Sequence, residues 1–325
     1  MRSPSLSVAL CAYNGAKHLP EQLASIAAQT RIPDELVVCD DGSSDMTLSL
    51  LETFRASAPF PVHVHRNPIN LKSTKNFERA ISLCVGDIIA LADQDDVWLP
   101  RKLETLADCF AANPNLGLAF SDGELVDQDA KPLGRRMWAN CPFPAAEQQA
   151  FDAGEGPRLL LRFNCVTGAA LAFRADLRPH LLPIPVEWVH DAWIGFIAAA
   201  LADAKTIAEP LLHYRQHAAQ QIGLKPLTLA FQLRSAARMD VAYFEKRLAC
   251  FESLAERLGG AESRLRDPSI LTATREKVAH CRRQVELRRR WRLARPLFAL
   301  PDLVLGRYHE FGRGVKSYLV DAFLG

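Results

Sequence analysis

The chain has no apolar stretch long enough to cross a bilayer as a helix. Its longest uninterrupted run, Ala192–Ala202, is 11 residues, where a span needs about 18 or more. Its first residues lack a basic segment followed by an apolar one, so no secretory signal is expected. No two of the eight cysteines, at 11, 39, 84, 109, 141, 165, 250 and 281, form a Cys-x-x-Cys motif. With no export signal expected, they read as reduced thiols, mostly in the core. Two phosphate cradles are also missing. Gly154 and Gly156 are followed by Leu159, and Gly312 and Gly314 by Ser317, so Gly-x-Gly-x-x-Gly is never completed. No Gly-x-x-x-x-Gly-Lys-Ser/Thr segment occurs either. Dinucleotide-dependent redox and ATPase readings therefore lack a sequence basis.

What is present is ordinary globular material. The 325 residues are 49% hydrophobic and 23% charged, which suggests about two domains and excludes wholesale disorder. The net charge of +2 conceals a division. Up to Leu224, nineteen basic residues face twenty-six acidic ones, a net of −7; after it, twenty face eleven, a net of +9. An acidic body joined to a basic tail points to a polyanionic surface as partner.

The body alternates apolar runs with helical patterns. Strands are expected at Ser7–Tyr13, Glu35–Cys39, Val62–His65, Asp87–Ala92 and Leu116–Ser121, with helices between them from Pro20, Met46, Ser73 or Thr74, and Pro100. That order argues for a mostly parallel α/β sheet flanked by helices. From Met137 to Gly156 the chain is rich in Pro, Ala and Gln and reads as a loop or flap. A strand is expected around Ile207–Tyr214. After Pro226, Ala237, Val241, Phe244, Leu248, Phe251, Ala255 and Leu258 mark one helical seam, and Leu271, Val278, Cys281 and Val285 mark another, entered through Asp267 and Pro268. The expected division is a body of residues 1–224 and a helical extension of residues 225–325, a hairpin followed by an amphipathic tail.

The densest chemistry is Asp93-Gln94-Asp95-Asp96, directly after an apolar strand. Ligands of open parallel sheets bind at the carboxyl ends of strands. Asp93 and Asp95 point to one side, and adjacent like charges call for a cation. Mg²⁺ or Mn²⁺ suits such a site, since it takes one or two carboxylates and fills its remaining positions with water and phosphate. An acidic turn in which Asp96 caps the next helix would account for the same residues. A second acidic turn, Cys39–Asp45, would lie on the same sheet edge, beside Ala12-Tyr13-Asn14.

Taken together, Ser7–Gly15 (SVALCAYNG), CDDGSSD, Asn70–Phe77 (NLKSTKNF), Gly86-Asp87 and ALADQDDVW resemble glycosyltransferase family 2. The DQDDVW form and FSDGELVD are similar to its bacterial rhamnosyltransferase-like branch. The resemblance covers roughly residues 5–223. It implies a GT-A fold and inverting transfer from a nucleotide-diphosphate sugar. On the donor side it implies Ala12, Tyr13 and Asn14 at the nucleotide, Asp40 accepting from the base, and Asp41 supporting that pocket. It also implies Asn76 toward the nucleotide, Asp93 at the ribose and Arg215 at the diphosphate. Asp95 and His217 would be metal ligands, although His213–His217 also reads as a surface pair. Asp191, in His190-Asp191-Ala192-Trp193, would be the general base. An N-cap role is the alternative reading, and both could hold. Thr167, Gly168, His190 and Trp193 would lie on the acceptor side. The processive members' Gln-x-x-Arg-Trp motif is missing, because Leu287 stands where the Gln belongs. Transfer of a single sugar is therefore expected.

Arg282 to Arg295 carries seven arginines against one acid, Glu286. Trp291, Leu297, Phe298, Leu300, Leu303, Val304, Leu305, Tyr308 and Phe311 follow closely. This pairing suits an anionic membrane surface; a solvated helix face that packs on the body would read the same. No nucleic-acid partner is expected. The resulting expectation is a metal-dependent enzyme on the cytoplasmic membrane face. It would move one sugar, with dTDP-rhamnose as the leading donor, to a lipid-linked or lipopolysaccharide/O-antigen-type glycan acceptor. A nucleotidyltransferase of similar sheet, or a membrane-associated scaffold that kept the fold without catalysis, are the rival readings.

Overall fold

A computed structural model describes residues 4–141, 143–217 and 239–324. Ala237 and the boundary expected at 224–225 lie outside the described residues. The chain divides into two compact units, one of Met1–Gly156 with Cys165–Leu224 and one of Pro157–Asn164 with Lys225–Gly325. In the first, β1 (Leu6–Ala12), β2 (Glu35–Asp40), β3 (Val62–Arg66) and β4 (Ile88–Asp93) form a parallel core in the order β3-β2-β1-β4. Every residue of β1 and β2 is buried, as continuous apolar runs require when helices cover both faces. The crossovers are α1 (Leu19–Ala27), α2 (Thr47–Ser57) and α3 (Lys72–Leu83). The register sets Cys11 against Asp93 and Ala12 against Asp40. The last residues of three strands thereby meet at one edge.

Beyond β4 the sheet becomes mixed. The short β8 (Leu171–Arg174) runs antiparallel to β4 and to β6 (Leu116–Val126). Then come β9 (Asp203–Arg215), parallel to β6, and the two-residue β5 (Val97–Trp98). The parallel expectation holds from β3 to β4. It gives way where β8 enters from the opposite end of the sheet and needs no crossover. Two further helices of this unit are α4 (Lys102–Ala112) and α5 (His190–Leu201).

The second unit is helical. In α6 (Val241–Gly260), Asp240 caps by accepting from the Tyr243 N–H at 2.9 Å. In α7 (Ser269–Arg289), Asp267 accepts from the Ser269 N–H at 2.9 Å, so the helix begins one residue after the expected Pro268. A third helix, α8 (Arg295–Val304), follows. Two buried carboxylates hold these pieces together. Asp302 meets His280 Nδ1 at 2.7 Å, Arg307 at 2.9 Å and Arg283 at 3.1 Å. Asp321 accepts from Gln284 at 2.6 Å, Arg288 at 2.9 Å and the Tyr308 hydroxyl at 3.1 Å. Arg282 and Arg289 pair with Glu252 and Glu245. Much of the basic run is thus spent inside its own unit, and Tyr308 and Phe311, read as tail residues, are fully buried core. No helix of the described residues is long and apolar enough to cross a membrane.

The stretch read as a flap is packed instead. It follows β7 (Pro132–Arg136), forms short helical turns, and buries Trp138, Phe143 and Phe151. Their rings surround Phe120 of β6, with Phe151 at 5.1 Å and Trp138 at 5.8 Å. Four aromatics spread over Phe120–Phe151 outweigh the Pro- and Ala-rich composition between them. A cavity of about 900 Å³ opens beside them, lined by Asp122, Glu124, Arg135 and Trp138 among others. Phe151→Ala should destabilise the protein by about 3–5 kcal/mol, read as a lower denaturant midpoint with an unchanged slope.

Candidate active site

The site is built at the edge where β1, β2 and β4 end. After β1 the chain turns at Asn14, whose φ is +47°. Asn14 Oδ1 accepts from the Ser44 N–H at 2.9 Å, and its own N–H donates to Ser43 Oγ at 2.9 Å. Gln94, from the middle of the acidic turn, clamps the backbone of exposed Tyr13. It accepts from the Tyr13 N–H at 2.8 Å and donates to the Tyr13 carbonyl at 3.0 Å. Gly15 makes this possible, because a Cβ there would lie 2.0 Å from Gln94 Oε1. The Ala12 carbonyl accepts from the Asp41 N–H at 2.8 Å.

The two acids after β2 have separate jobs. Asp40 is buried and accepts from the Ser43 N–H at 3.0 Å and from its hydroxyl. In this conformation it is closed to a ligand. Asp41 accepts from Asn67 at 2.6 Å and from the Leu71 and Lys72 N–H groups at 2.7 and 2.8 Å. A carboxylate at orphan donors of a helix start is favourable, so Asp41 supports the turn by anchoring α3. Asn76, expected toward the nucleotide, is buried instead. Its amide donates to the Cys39 carbonyl at 2.9 Å and accepts from Asn67 at 2.8 Å. It holds the loop from within.

The acidic turn carries the strongest electrostatics. Burial, then the charges of Asp95 and Asp191, push the Asp93 carboxyl up to about 7, against the pull of Lys102. Burial beside Asp95 and Asp93 raises Asp96 well above the carboxylate range. Lys102 opens α4 and is wholly buried. Its ammonium lies 3.9 Å from the Trp98 ring centre and donates to the Ala169 carbonyl. Burial pulls it down to about 7, with Asp96 and Asp93 opposing. Arg215, expected at a diphosphate, is buried and braces this turn. Its N–H donates to Asp96 at 3.0 Å, its Nε to the Asp95 carbonyl at 2.7 Å, and its other nitrogens to the Gln128 carbonyl and Glu21.

On the other side, Asp191 sits in the first turn of α5. Its Oδ2 accepts from the Gly168 N–H at 3.1 Å, and half-buried Thr167 precedes that glycine. Asp191 and the acidic turn are close enough that their charges act together on Asp93 and on Tyr214. His190 is buried, stacked on Phe77 with ring centres 3.9 Å apart. Burial drives its pKa down to about 3, so it is neutral near pH 7. A Cβ on Gly168 would come within 2.7 Å of His190 Nε2, so only glycine leaves room for the ring. Trp193, expected at the acceptor, is core. It is fully buried, and its indole donates to the Leu181 carbonyl at 2.8 Å.

Asp95 Oδ2 and His217 Nε2 meet at 2.8 Å. Among the described residues no group of three or more His, Cys, Asp or Glu side chains could hold a metal. Mg²⁺ or Mn²⁺ in a phosphate site needs only one or two carboxylates, with phosphate and water completing the shell. The Asp95 carboxylate, with the His217 imidazole beside it, fits that smaller requirement. Sequence reasoning missed Gln94, Ser43, Asn67, Glu21 and Lys102. Only Lys102 carried a signal, a lysine in phase with the buried Leu106 and Phe110 of α4.

The Glycosyl transferase family 2 model matches residues 7–155. Over 228 residues the chain is 33% identical to the dTDP-rhamnosyl transferase RfbG of Shigella flexneri, covering 66% of this chain and 73% of that one. It is 28% identical over 231 residues to an uncharacterized glycosyltransferase of Nostoc sp., covering 66% of this chain and 65% of the Nostoc protein. The chain therefore spans just under two thirds of that relative's length. Among solved structures, TarS 1–349 of S. aureus in complex with UDP-GlcNAc superposes with a TM-score of 0.56, over 98% of this chain and 90% of that one. At 15% identity, that likeness shows the fold alone. The family match, the relative at 33% identity and the shared fold lead to one conclusion: the chain belongs to glycosyltransferase family 2.

Proposed function

We propose that the protein transfers a single sugar, with inversion, from a nucleotide diphosphate to a hydroxyl of a lipid-linked or lipopolysaccharide-type acceptor. The observation that carries this reading is the assembly of Asp93 and Asp95, from the turn after β4, with Asp191, from the start of α5, at one sheet edge. dTDP-rhamnose is the leading donor, supported by the 33% identity to the dTDP-rhamnosyl transferase RfbG. The acceptor's lipid anchor would place the enzyme on the cytoplasmic membrane face.

The chain's own residues would divide the work as follows. The Ala12–Asn14 backbone, held by Gln94 and Ser43, would form the floor under the nucleotide. A nucleobase would reach Asp40 once the Ser43 hydroxyl turns aside. Asp93 would accept from a ribose hydroxyl. Asp95 and His217 would hold a Mg²⁺ or Mn²⁺ ion, which when bound offsets charge on the leaving diphosphate. Asp191 would take the proton of the acceptor hydroxyl as that oxygen bonds to C1 and the diphosphate leaves with the electron pair. The Gly168 N–H would keep its carboxylate aimed, and neutral His190 would wedge the helix start in place without adding charge.

Asp191→Asn should lower transfer by about 10²–10⁴-fold, while thermal shifts with a panel of nucleotide-diphosphate sugars and Mn²⁺ stay as in the parent. Near-normal turnover would move the base elsewhere, and a panel without any stabilising donor would remove the transferase reading. Asp95→Ala should remove the gain in nucleotide affinity that Mn²⁺ gives in calorimetry; an unchanged Mn²⁺ dependence would overturn its role. In chelator, Asp93→Asn should melt higher than the parent, with a gap that widens from pH 5 to pH 7. The sign follows from the folded carboxyl titrating near 7 and the unfolded one near its usual 3.8. Between those values the folded state holds the extra proton, so the parent loses stability as pH rises. A gap independent of pH would contradict the crowded carboxyl.

A further inference from the structure

We propose that the second unit carries a fixed lipid-facing stripe, centred on α8, that docks the protein on an anionic bilayer. Leu297, Leu300 and Val304 recur three and four residues apart, and Leu293 precedes them by four, so they share one helical face. That face is turned outward. Leu293 is 86% exposed, Leu297 71%, Val304 77% and Leu300 43%, with Trp291 at 82% beside them. Scattered exposed apolar residues are normal, but a contiguous row is not.

The opposite face explains why the row cannot roll inward. Arg295, Ala299 and Asp302 are buried. Ala299 packs with Leu287 and Tyr308. Asp302 is held by His280, Arg283 and Arg307 at 2.7–3.1 Å. Turning the leucines in would expose that carboxylate network and break it.

Charge selects the occupant. No carboxylate occurs from Arg290 to Pro301, and Asp302, the first acid after them, points inward. The Arg290 guanidinium stacks 3.8 Å from the Phe298 ring centre, which fixes a cation at the margin of the row. An exposed tryptophan at the end of an apolar stripe, with a cation fixed at its margin and no acid from Arg290 to Pro301, matches an anionic headgroup layer. This refines the expected basic tail. Arg282, Arg283, Arg288 and Arg289 are engaged by Glu252, Asp302, Asp321 and Glu245, so the insertion is apolar, with cations only at its rim. The inference deepens the lipid-linked acceptor reading, yet vesicle binding is measured without turnover, so either can fail alone.

The test is co-sedimentation of the full chain with phosphatidylcholine vesicles with and without 30–40% phosphatidylglycerol (roughly the range in which surface charge dominates), together with tryptophan emission. Binding should require the anionic lipid and shift emission to the blue, and Trp291→Phe should remove most of the shift. The exposed-site double variant Leu293→Glu with Leu297→Glu should keep the parent melting temperature and lose at least about tenfold in partitioning. Equal binding to neutral vesicles, unchanged partitioning of the double variant, or no vesicle binding by the parent would each overturn the proposal. So would a parent dimer in sedimentation velocity that the double variant converts to monomer, because a second copy would then be the occupant.

Discussion

Crowding of like charge at one sheet edge is the constraint on which this protein depends. Asp93, Asp95, Asp96 and Asp191 are brought together where water is scarce, and their repulsion is strong there. The fold tolerates this because two cations are buried with them. Arg215 is spent almost entirely on the backbone and carboxylates of the acidic turn. Lys102 ties that turn to the Ala169 carbonyl, one residue from the glycine that aims Asp191. The two sides of the site are thus joined through the same lysine that relieves their repulsion. Breaking such a buried pair by removing one partner costs far more than the pair itself contributes.

The two units use charge in opposite ways. In the first, buried Arg215 and Lys102 compensate carboxylates crowded at one sheet edge. In the second, Asp302 and Asp321 are structural hubs, and arginines that look like a solvated cluster in the sequence are their spokes. The net charges of −7 and +9 on either side of Leu224 therefore do not map onto two free surfaces. Part of the positive surplus is internal wiring.

The parallel half of the sheet was legible in the sequence because buried parallel strands are unbroken apolar runs, and Ser7–Tyr13 and Asp87–Ala92 are such runs. The acidic turn was legible as three carboxylates directly after an apolar strand, and Asp191 through the family resemblance, because Asp is otherwise common in turns and helix starts. The antiparallel insertion of β8 was not, since a four-residue apolar strand carries no direction. Asn76, Arg215 and Trp193 stand where the resemblance put them, but their side chains turn inward to carbonyls and neighbours far along the chain. Only tertiary contacts decide that. The Met137–Gly156 stretch misread for a similar reason: its aromatics find their partner, Phe120, on a strand well upstream.

The bidentate hold of Gln94 on the Tyr13 backbone makes the strand-one loop and the acidic turn a single mechanical part. A ligand that orders one orders the other. Occupation of the base-side loop and of the phosphate-side turn would then share one conformational cost, met by whichever arrives first. By thermodynamic reciprocity each strengthens the other by the same factor. A side chain that touches no substrate in this arrangement would thereby set the cooperativity between the two ends of the donor.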